Sequence, residues 1–478
     1  MMSLSTLAYL IPVALIYLCY SKIIYPYYLG PLKNIPRGKN AFKHYFSYIY
    51  DLIVGDASSH LKLAQKYGPV VHLVDETVLV NDPQIRKYYM SYKWPKAASY
   101  YKVFDFNGPN LFSALKKDFH VSMKKLLLPA FNNKSLAAME DTIYKVGSES
   151  LVQYIDSFLE DNQSYEFDIL DLFYSNTLDV ISELVFGSSI NATWDKEKGA
   201  QFMDLLSKSQ FMGFIRSFIP FSYLFKLPME PLLTPMILKN IHNRKQNNEK
   251  HHDILQTMID AKDSETGAGL TDLEIVDECM ALLFAAEDTT AITLSWTLYE
   301  LLRHPEFYKL VADEIIEKFP NFNEPINSQD AKKELKYLEA AILESTRKHP
   351  AGADILPREV PEGGLTINGY HLPPKTVFTL DIYLEHNDPS FWENPRDYDI
   401  NRWFGEDREA KKAKLVGFGL GPRSCIGRDL AWNEIFLVLA NLIRHFSFEL
   451  VDKELIPVNY FILKPKGNSF KVKISRRS

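Results

Sequence analysis

Residues 418–434 read FGLGPRSCIGRDLAWNE, a glycine-rich loop that runs directly into an apolar helix. Cys425 lies just before that helix, whose N-terminal amides favour a thiolate over a thiol. The loop does not satisfy the dinucleotide-binding fingerprint, because Ser424 occupies the third glycine position. A thiolate at the start of a helix predicts a nucleophile or a metal ligand, whereas an isolated cysteine is more often a small buried hydrophobe.

The composition predicts an ordinary globular protein. The chain has 478 residues, of which 46% are hydrophobic and 24% charged, and its net charge is −6. No global basic field exists, so a nucleic-acid partner is not expected. Three widely separated cysteines indicate a reducing compartment. We predict a mainly α fold with small β-sheets, because helical periodicity covers 134–161, 166–186, 271–303, 335–349 and 428–446, while strand patterns are confined to 70–80 and 460–474.

Two of the predicted helices carry polar groups where an apolar face is expected. The helix 271–303 begins with a capping box, Thr271 with Glu274, and its apolar run breaks at 285–290, AAEDTT. Such groups in a central helix indicate either a proton relay beside a ligand or a kink in which a threonine bonds the preceding turn. In the helix 335–349, Glu344 and Arg347 share one face, an arrangement that by itself is typical of a solvent-exposed pair.

Together these segments resemble the cytochrome P-450 superfamily. Residues 418–434 match its haem-ligand pattern F-G-x-G-x-R-x-C-x-G followed by L-A-x-x-E. Residues 285–290 match A-G-x-D-T-T, with Ala286 in place of the glycine. Residues 119–131 resemble the helix that usually carries W-x-x-x-R, and the helix 335–349 resembles the one that carries the buried Glu-Arg pair. The resemblance covers the chain from residue 35 onward and suggests a membrane-anchored microsomal member. Among such members, the sequence resembles the fungal ones.

The resemblance implies a P-450 fold, haem b as cofactor and the Cys425 thiolate as the metal ligand of its iron. It implies proton delivery by Asp288 and Thr289. The residues expected at the haem and its propionates are His120, Lys124, Arg358, Phe418 and Arg423, with His120 and Lys124 replacing the usual Trp and Arg. The implied buried charge network is Glu344, Arg347 and Arg402. The implied substrate contacts are Phe112, Phe284, Ala285, Ile355 and Ile462.

The function implied by the resemblance is insertion of one oxygen atom from O2 into a lipophilic small molecule, such as a steroid, a fatty acid or a xenobiotic. No NADPH or flavin motif is evident, so electrons are expected from a separate NADPH-dependent flavoprotein reductase, with cytochrome b5 as a further candidate partner. One alternative is a haem-thiolate isomerase or dehydratase that acts on hydroperoxides without a reductase. The other is a non-catalytic lipophile-binding membrane protein.

The amino terminus predicts a membrane anchor. Residues 1–21 carry no charge, and basic residues follow them. A cleaved signal peptide is disfavoured, because it would need a basic start and a small-residue cleavage site. We therefore predict a transmembrane helix over 1–22, a Pro-rich linker over 23–38 and a catalytic domain over 39–478, anchored once in the endoplasmic reticulum with its body in the cytosol. The apolar segment Met212–Met236 contains four prolines and suits either the core or a membrane surface.

Overall fold

A computed structural model describes residues 4–218, 233–247, 251–353, 356–452 and 454–477. Most of this chain is helical. The first helices are α1 (Leu4–Cys19), α2 (Ala41–Val54), α3 (Ser59–Tyr67), α4 (Arg86–Tyr89), α5 (Ala98–Tyr101), α6 (Lys117–Leu127), α7 (Asn133–Ile143), α8 (Ser150–Phe158), α9 (Ile169–Phe186) and α10 (Lys196–Phe218). They are followed by α11 (Leu233–Asn247), α12 (Ile254–Asp260), α13 (Asp272–Arg303), α14 (Pro305–Lys318), α15 (Ser328–Glu334), α16 (Lys336–Lys348), α17 (Ile382–Asn387), α18 (Arg408–Lys412) and α19 (Arg428–His445).

The strands form small sheets at the edges of the helical body. They are β1 (Val70–His72), β2 (Thr77–Val80), β3 (Tyr165–Asp168), β4 (Arg358–Glu359), β5 (Leu365–Ile367), β6 (Tyr370–Leu372), β7 (Val377–Thr379), β8 (Phe446–Leu450), β9 (Pro457–Tyr460), β10 (Ile462–Pro465) and β11 (Lys471–Arg476). The sheet orders are β1-β2-β7-β4, β3-β11-β8, β9-β10 and β5-β6. In the first sheet β2 and β7 are parallel, and the other described pairings are antiparallel. The predicted mainly α fold with small sheets is confirmed.

Helix α13 is the centre of the fold. It begins at the predicted capping box, because the Thr271 side chain accepts the Glu274 backbone N–H and the Glu274 carboxylate accepts the Thr271 backbone N–H. Its apolar side chains pack against α9, α16 and α19, and Trp296 and Leu294 are fully buried. The same helix therefore supplies both core contacts and the polar residues at 285–290.

The structure changes the bounds of two predicted helices. The pattern at 166–186 begins as strand β3, because Glu166 and Phe167 pair with β11 before the helix starts at Ile169. The pattern at 134–161 is divided by a π-helical turn over Tyr144–Glu149, and its last helix ends at Phe158. Long-range strand pairing decides the first change, and a local period of 3.6 cannot indicate it.

The amino terminus differs from the prediction. Within the described ranges no helix combines the length and the apolar character that crossing a bilayer requires, so the predicted single transmembrane helix is not found. Helix α1 has 16 residues, whereas a bilayer core needs about 20. The helical backbone then continues through Pro26 as a π-helix over Tyr20–Leu29. A π-helical stretch accommodates a proline within a continuing helix.

The predicted Pro-rich linker lies against the body. The Tyr27 side chain is fully buried, and its hydroxyl donates to the Leu73 carbonyl at 2.5 Å. The Lys22 ammonium lies 2.9 Å from the Asp75 carboxylate in the β1–β2 turn. Residues 20–35 are therefore held to the first sheet by side-chain contacts. The segment Met212–Met236 lies mostly outside the described residues.

Candidate active site

The loop before α19 presents the Cys425 side chain at a bend that only glycine allows. The Cys425 backbone N–H donates to the Phe418 carbonyl at 2.8 Å, which closes the loop, and Phe418 is half-buried. Gly421 has φ of 63°, and a Cβ at that position would lie 2.5 Å from the Tyr89 carbonyl oxygen. A side chain at position 421 would therefore force the loop away from the neighbouring turn.

The surroundings of Cys425 act on its thiol in opposite directions. Its side chain is solvent-accessible although protein surrounds it on most sides. Burial raises the pKa of the thiol, whereas the Gly427 backbone N–H, the Lys124 ammonium and the Arg428 guanidinium lower it. The Lys124 Nζ donates to the carbonyls of Pro422 and Ser424 at 2.9 and 3.3 Å. Lys124 therefore lies against the loop carbonyls and adds positive charge near the sulfur.

Two buried cations, Lys96 and Arg358, and the partly buried Arg423 lie together without a carboxylate partner among the described residues. Lys96 and Arg358 are 6% and 4% exposed, and they form an isolated bridge that joins two chain segments. Burial, together with the positive charges of Arg358 and Arg423, lowers the pKa of Lys96 well below its ordinary value. No carboxylate among the described residues forms an ion pair with any of the three, and Arg423 Nε has no hydrogen-bond partner there.

Buried cations that repel one another need an anionic partner to be stable. Lys96 donates to the Phe112 carbonyl, Arg358 Nη1 lies 3.3 Å from the Tyr101 hydroxyl, and Arg423 donates to the Ala114 and Leu115 carbonyls. These contacts position the side chains and leave their charges uncompensated. The cluster therefore fits a ligand that carries two negative groups, such as the two propionates of a haem.

His120 lies beside this cluster in its neutral form. Its Nδ1 is 2.9 Å from the Tyr92 hydroxyl, and only 3% of the residue is exposed. Burial and the nearby charges of Arg423 and Lys96 lower the pKa of His120 to about 3. The Tyr92 ring in turn lies under the Arg423 guanidinium, 5.1 Å from its centroid. Tyr92 therefore links His120 to the Arg423 guanidinium.

The polar residues at positions 285–290 of α13 have two different environments. Thr289 Oγ1 donates to the Ala285 carbonyl at 2.6 Å, the local bond that the kink interpretation predicts. Ala285 is exposed and Thr289 is half-buried, although both lie in a helix that is otherwise largely buried. Asp288 is instead influenced by the Lys464 ammonium and the Tyr174 hydroxyl. Burial raises the pKa of Asp288, and Lys464 and Tyr174 oppose that rise.

Aromatic rings form two groups among the predicted substrate-contact segments. Phe106 stacks on Phe284 with centroids 5.4 Å apart. Phe104 contacts Phe112 at 5.0 Å and Phe461 at 5.2 Å. The predicted contact residue Phe284 therefore stacks with Phe106, and the predicted contact residue Phe112 belongs to an aromatic group with Phe104 and Phe461. Ile462 is buried at the start of β10 and follows Phe461 directly, and Ile355 lies outside the described residues.

The structure brings the three residues of the charge network together. Glu344 accepts hydrogen bonds from Arg347 Nε at 3.0 Å and Nη2 at 2.8 Å. Arg402 Nε lies 3.3 Å from the same carboxylate, although Ile400 and Asn401 precede it. Both residues of the first pair are fully buried. The solvent-exposed reading of the i,i+3 spacing therefore does not apply.

A family model described as Cytochrome P450 matches residues 55–472. The chain belongs to the cytochrome P450 family. Its members use haem b, and the chain is a haem-dependent monooxygenase.

Several curated fungal P450 enzymes resemble the chain over most of its length. Cytochrome P450 monooxygenase BOT1 of Botryotinia fuckeliana is 29% identical, covering 89% of this chain and 87% of that protein. Cytochrome P450 monooxygenase helB1 of Aspergillus fumigatus is 27% identical, with coverage of 91% and 77%. Tryptophan 6-hydroxylase fscE of Fusarium equiseti is 27% identical, with coverage of 95% and 94%. The chain is thus similar to fungal members.

A solved P450 structure shares the fold. The cytochrome P450DA heme domain superimposes with a TM-score of 0.80 at 22% identity, covering 93% of this chain and 98% of that one. At this identity the likeness shows the P450 fold alone. The helical arrangement around α13 is therefore the family's architecture.

Motif reasoning missed Lys96, which carries no motif, and only its burial beside Arg358 reveals it. Phe461 has φ of 82°, which is a strained conformation for a bulky residue. Such strain has no sequence signature.

Proposed function

We propose that this P450 inserts one oxygen atom from O2 into a lipophilic small molecule, with Cys425 as the thiolate ligand of the haem iron. Haem b bound through a thiolate supplies the oxygen activation that this insertion needs. The observation that carries the proposal is an accessible cysteine at the start of α19, flanked by Lys124 and Gly427. Lys96, Arg358 and Arg423 would hold the two propionates, because their charges have no carboxylate partner among the described residues.

The chain's own residues would control protons at the reacting side of α13. Thr289 would present its hydroxyl oxygen as a hydrogen-bond acceptor, since its proton is engaged by the Ala285 carbonyl. Asp288 would supply protons from its position beside Tyr174 and Lys464. The two roles are separate, because the hydroxyl bonds the Ala285 carbonyl while the carboxylate interacts with Lys464 and Tyr174. This arrangement supports reductive oxygen chemistry over the rearrangement of hydroperoxides.

The two groups of aromatic rings support a lipophilic substrate. Phe106 and Phe284 are stacked, and Phe104, Phe112 and Phe461 contact one another across loops that are distant in sequence. Phe112 and Phe461 are each 38% exposed despite these contacts. Partly exposed rings at a site favour an apolar ligand that covers them. The positive φ of Phe461 supports a positioning role for its ring.

A separate NADPH-dependent flavoprotein reductase would supply the electrons. Lys116 and Lys117 are exposed at the start of α6, next to the Leu115 carbonyl that Arg423 contacts. Basic residues at this edge would steer an acidic reductase surface. In Lys116→Glu/Lys117→Glu we expect slower NADPH-dependent reduction and a weaker salt dependence, with an unchanged thiolate spectrum.

The N-terminal segment would hold the protein at the endoplasmic reticulum with its body in the cytosol. Support comes from uncharged residues 1–21 and from exposed apolar side chains on α1, namely Val13, Leu15, Ile16, Tyr17 and Leu18. The test is removal of residues 1–19, which keeps the Lys22 and Tyr27 contacts with the body. We expect this truncation to release the protein from membranes with its haem retained. Membrane retention after a carbonate wash would contradict the proposal.

The decisive experiment is spectroscopic. The purified protein, reduced under carbon monoxide, is expected to show the thiolate-type spectrum. A panel of fatty acids, steroids and aromatic xenobiotics is then screened for spectral shifts, and binders are incubated with NADPH and a reductase or with an organic hydroperoxide alone. Product that requires NADPH and O2 supports the proposal. Product formed from hydroperoxide alone, with none from NADPH, would overturn it.

A further inference from the structure

Two buried acids of α13 bond the backbone of one loop. Asp277 and Glu278 lie in the second turn of the helix and are 4% and 1% exposed. Asp277 Oδ1 accepts the backbone N–H and the side-chain amide of Asn107, each at 2.9 Å. Glu278 Oε1 accepts the Leu111 backbone N–H at 2.7 Å. Both acids thus hold residues of the segment 104–113, which we call the aromatic loop.

The aromatic loop is also held together internally and from its other side. Asn110 Oδ1 accepts the backbone N–H groups of Phe112 and Ser113, each at 3.0 Å. The Asn110 side-chain amide donates to the Phe104 carbonyl at 2.7 Å. Lys96 donates to the Phe112 carbonyl. Because these bonds join both ends of the loop, the two acids of α13 fix the position of the whole segment.

Each acid holds a residue that is next to an aromatic ring. Asn107 follows Phe106, whose ring stacks on Phe284 of α13 with centroids 5.4 Å apart. Leu111 precedes Phe112, whose ring belongs to the other aromatic group and is 38% exposed. The two acids therefore determine where both groups of rings lie relative to α13.

Packing alone does not account for acids at these two positions. A carboxyl group costs more to bury than an apolar side chain of similar size, unless its hydrogen bonds serve a purpose. Among the described residues no base forms an ion pair with Asp277 or Glu278. The backbone of Gly108 passes close to Asp277, since a Cβ there would lie 3.4 Å from Oδ2. The bonds to the aromatic loop are thus the contacts that these acids provide.

We propose that Asp277 and Glu278 are positioning residues that hold the aromatic loop as one wall of the lipophile site and thereby select lipophiles by size and shape. The inference rests on the proposed function, because it takes the lipophile to lie against these rings. A wall that is ordered before the ligand arrives avoids the cost of ordering the loop during binding. It also rejects ligands that would require the loop to move.

The first test measures the order of the loop and needs no turnover. Hydrogen exchange of haem-loaded wild type over the segment 104–113 is compared with that of Asp277→Ala and Glu278→Ala. Loss of the acceptor oxygen frees the amide proton of Asn107 or Leu111, so exchange there should be faster by about tenfold or more. Asp277→Asn and Glu278→Gln keep an acceptor oxygen and should retain most of the protection. Unchanged exchange in both alanine variants would overturn the proposal.

The second test measures dissociation constants by spectral titration with the panel of fatty acids, steroids and aromatic xenobiotics. In the alanine variants the ligand that wild type prefers should bind about tenfold or more weakly, because it must order the loop. The differences in affinity across the panel should become smaller, because a loosely held loop adapts to each ligand. The two amide variants should keep the wild-type ranking of ligands.

The matched control is Glu314→Ala. The Glu314 carboxylate on α14 also accepts backbone N–H groups, those of Lys336 and Tyr337 at the start of α16, at 2.7 and 3.0 Å. This variant should lose stability but keep the wild-type affinities and ranking. Equal weakening of lipophile binding in Glu314→Ala and in the loop variants would assign the effect to general instability and overturn the inference.

The outcomes separate this inference from the proposed function. If an alanine variant fails to load haem, Asn107→Ala replaces it, because Asn107 is exposed and its side chain makes one of the two bonds to Asp277. Wild-type exchange and ranking in all loaded variants would overturn the positioning role even if the enzyme is active. Failure of every lipophile to bind wild type would instead reject the lipophilic substrate and its selection, while the exchange result would still show whether the acids hold the loop.

Discussion

Glu344 Oε1 lies 2.8 Å from Arg347 Nη2, one helical turn along α16, and neither side chain is exposed to solvent. The Trp403 indole N–H donates to the other carboxylate oxygen at 2.9 Å. Arg347 also donates to the carbonyls of His386 and Pro395. The pair therefore joins α16 to the chain that leads to the Cys425 loop. Its removal should disturb haem loading without touching the haem site itself.

The first prediction concerns this buried pair. Glu344→Ala leaves the Arg347 charge buried without its carboxylate, which costs about 3–5 kcal/mol. We expect little haem-loaded protein, measured as the ratio of haem absorbance to protein. The control is Glu339→Ala on the same helix, whose ion pairs with Arg408 and Lys412 are partly exposed. The loss of stability in Glu339→Ala should be about 1 kcal/mol or less. Equal yields of the two variants would refute the structural role of Glu344.

The second prediction concerns proton control at Thr289. Thr289→Ala removes the hydroxyl and little volume, so the thiolate spectrum and lipophile binding should persist. Product per NADPH should fall and peroxide should rise. Thr293 bonds the Thr289 carbonyl in the same way, at 2.8 Å and one turn further on. Thr293→Ala should retain wild-type coupling. If both alanine variants uncouple alike, distortion of α13 is the cause and the role assigned to Thr289 is wrong.

A third prediction tests the iron ligand. In Cys425→His a neutral imidazole replaces the thiolate, so the reduced carbon monoxide complex should lose its thiolate signature and monooxygenation should cease. Cys19→Ser, in α1, should leave both unchanged. Persistence of the signature in Cys425→His would reject the proposed site.

The fourth prediction separates protein stability from cofactor binding at Lys96. Lys96→Met removes a buried charge that Arg358 and Arg423 repel. Without haem, the free energy of unfolding of the variant should therefore be about 1–4 kcal/mol higher than that of wild type. The same variant should release haem faster to an apo-globin acceptor. Lys93→Met, at an exposed position, should change neither quantity. A variant that is less stable without haem would contradict the uncompensated charge.

The fifth prediction is a pH dependence at Glu278. Its Oε1 accepts the Leu111 backbone N–H at 2.7 Å, and burial raises its pKa to about 8. In the unfolded chain the pKa of this carboxyl group is about 4.3. Between these values the folded state binds more protons, so the free energy of unfolding falls as pH rises, by up to about 1.4 kcal/mol per pH unit. The penalty is absent below this window.

We therefore expect Glu278→Gln to gain stability relative to wild type as pH rises from about 5 to 8. Denaturant titrations at several pH values measure this difference. Glu362 is exposed, so the free energy of unfolding of Glu362→Gln should change with pH in parallel with that of wild type. A constant difference between Glu278→Gln and wild type across this range would show that Glu278 does not change its charge there.

Local features of the site were predictable from the sequence. The capping box of α13, the position of Cys425 before α19 and the Thr289 bond to the preceding turn each involve residues within a few positions of one another. Helix geometry alone brings such groups together. Long-range partners were not predictable in this way. Glu166 enters a strand because Lys473, more than 300 positions away, pairs with it.

By itself, the sequence determined the family, the mainly helical fold and the residues of the motifs, because motif spacing and apolar periodicity are properties of neighbouring positions. Only the tertiary structure decided the cluster of Lys96 with Arg358 and the burial of Glu278. In these cases burial and charge arise from segments that meet in space, and both depend on distances that the order of residues does not specify. A lysine or glutamate is exposed by default, and only packing makes it a buried charge that demands a partner.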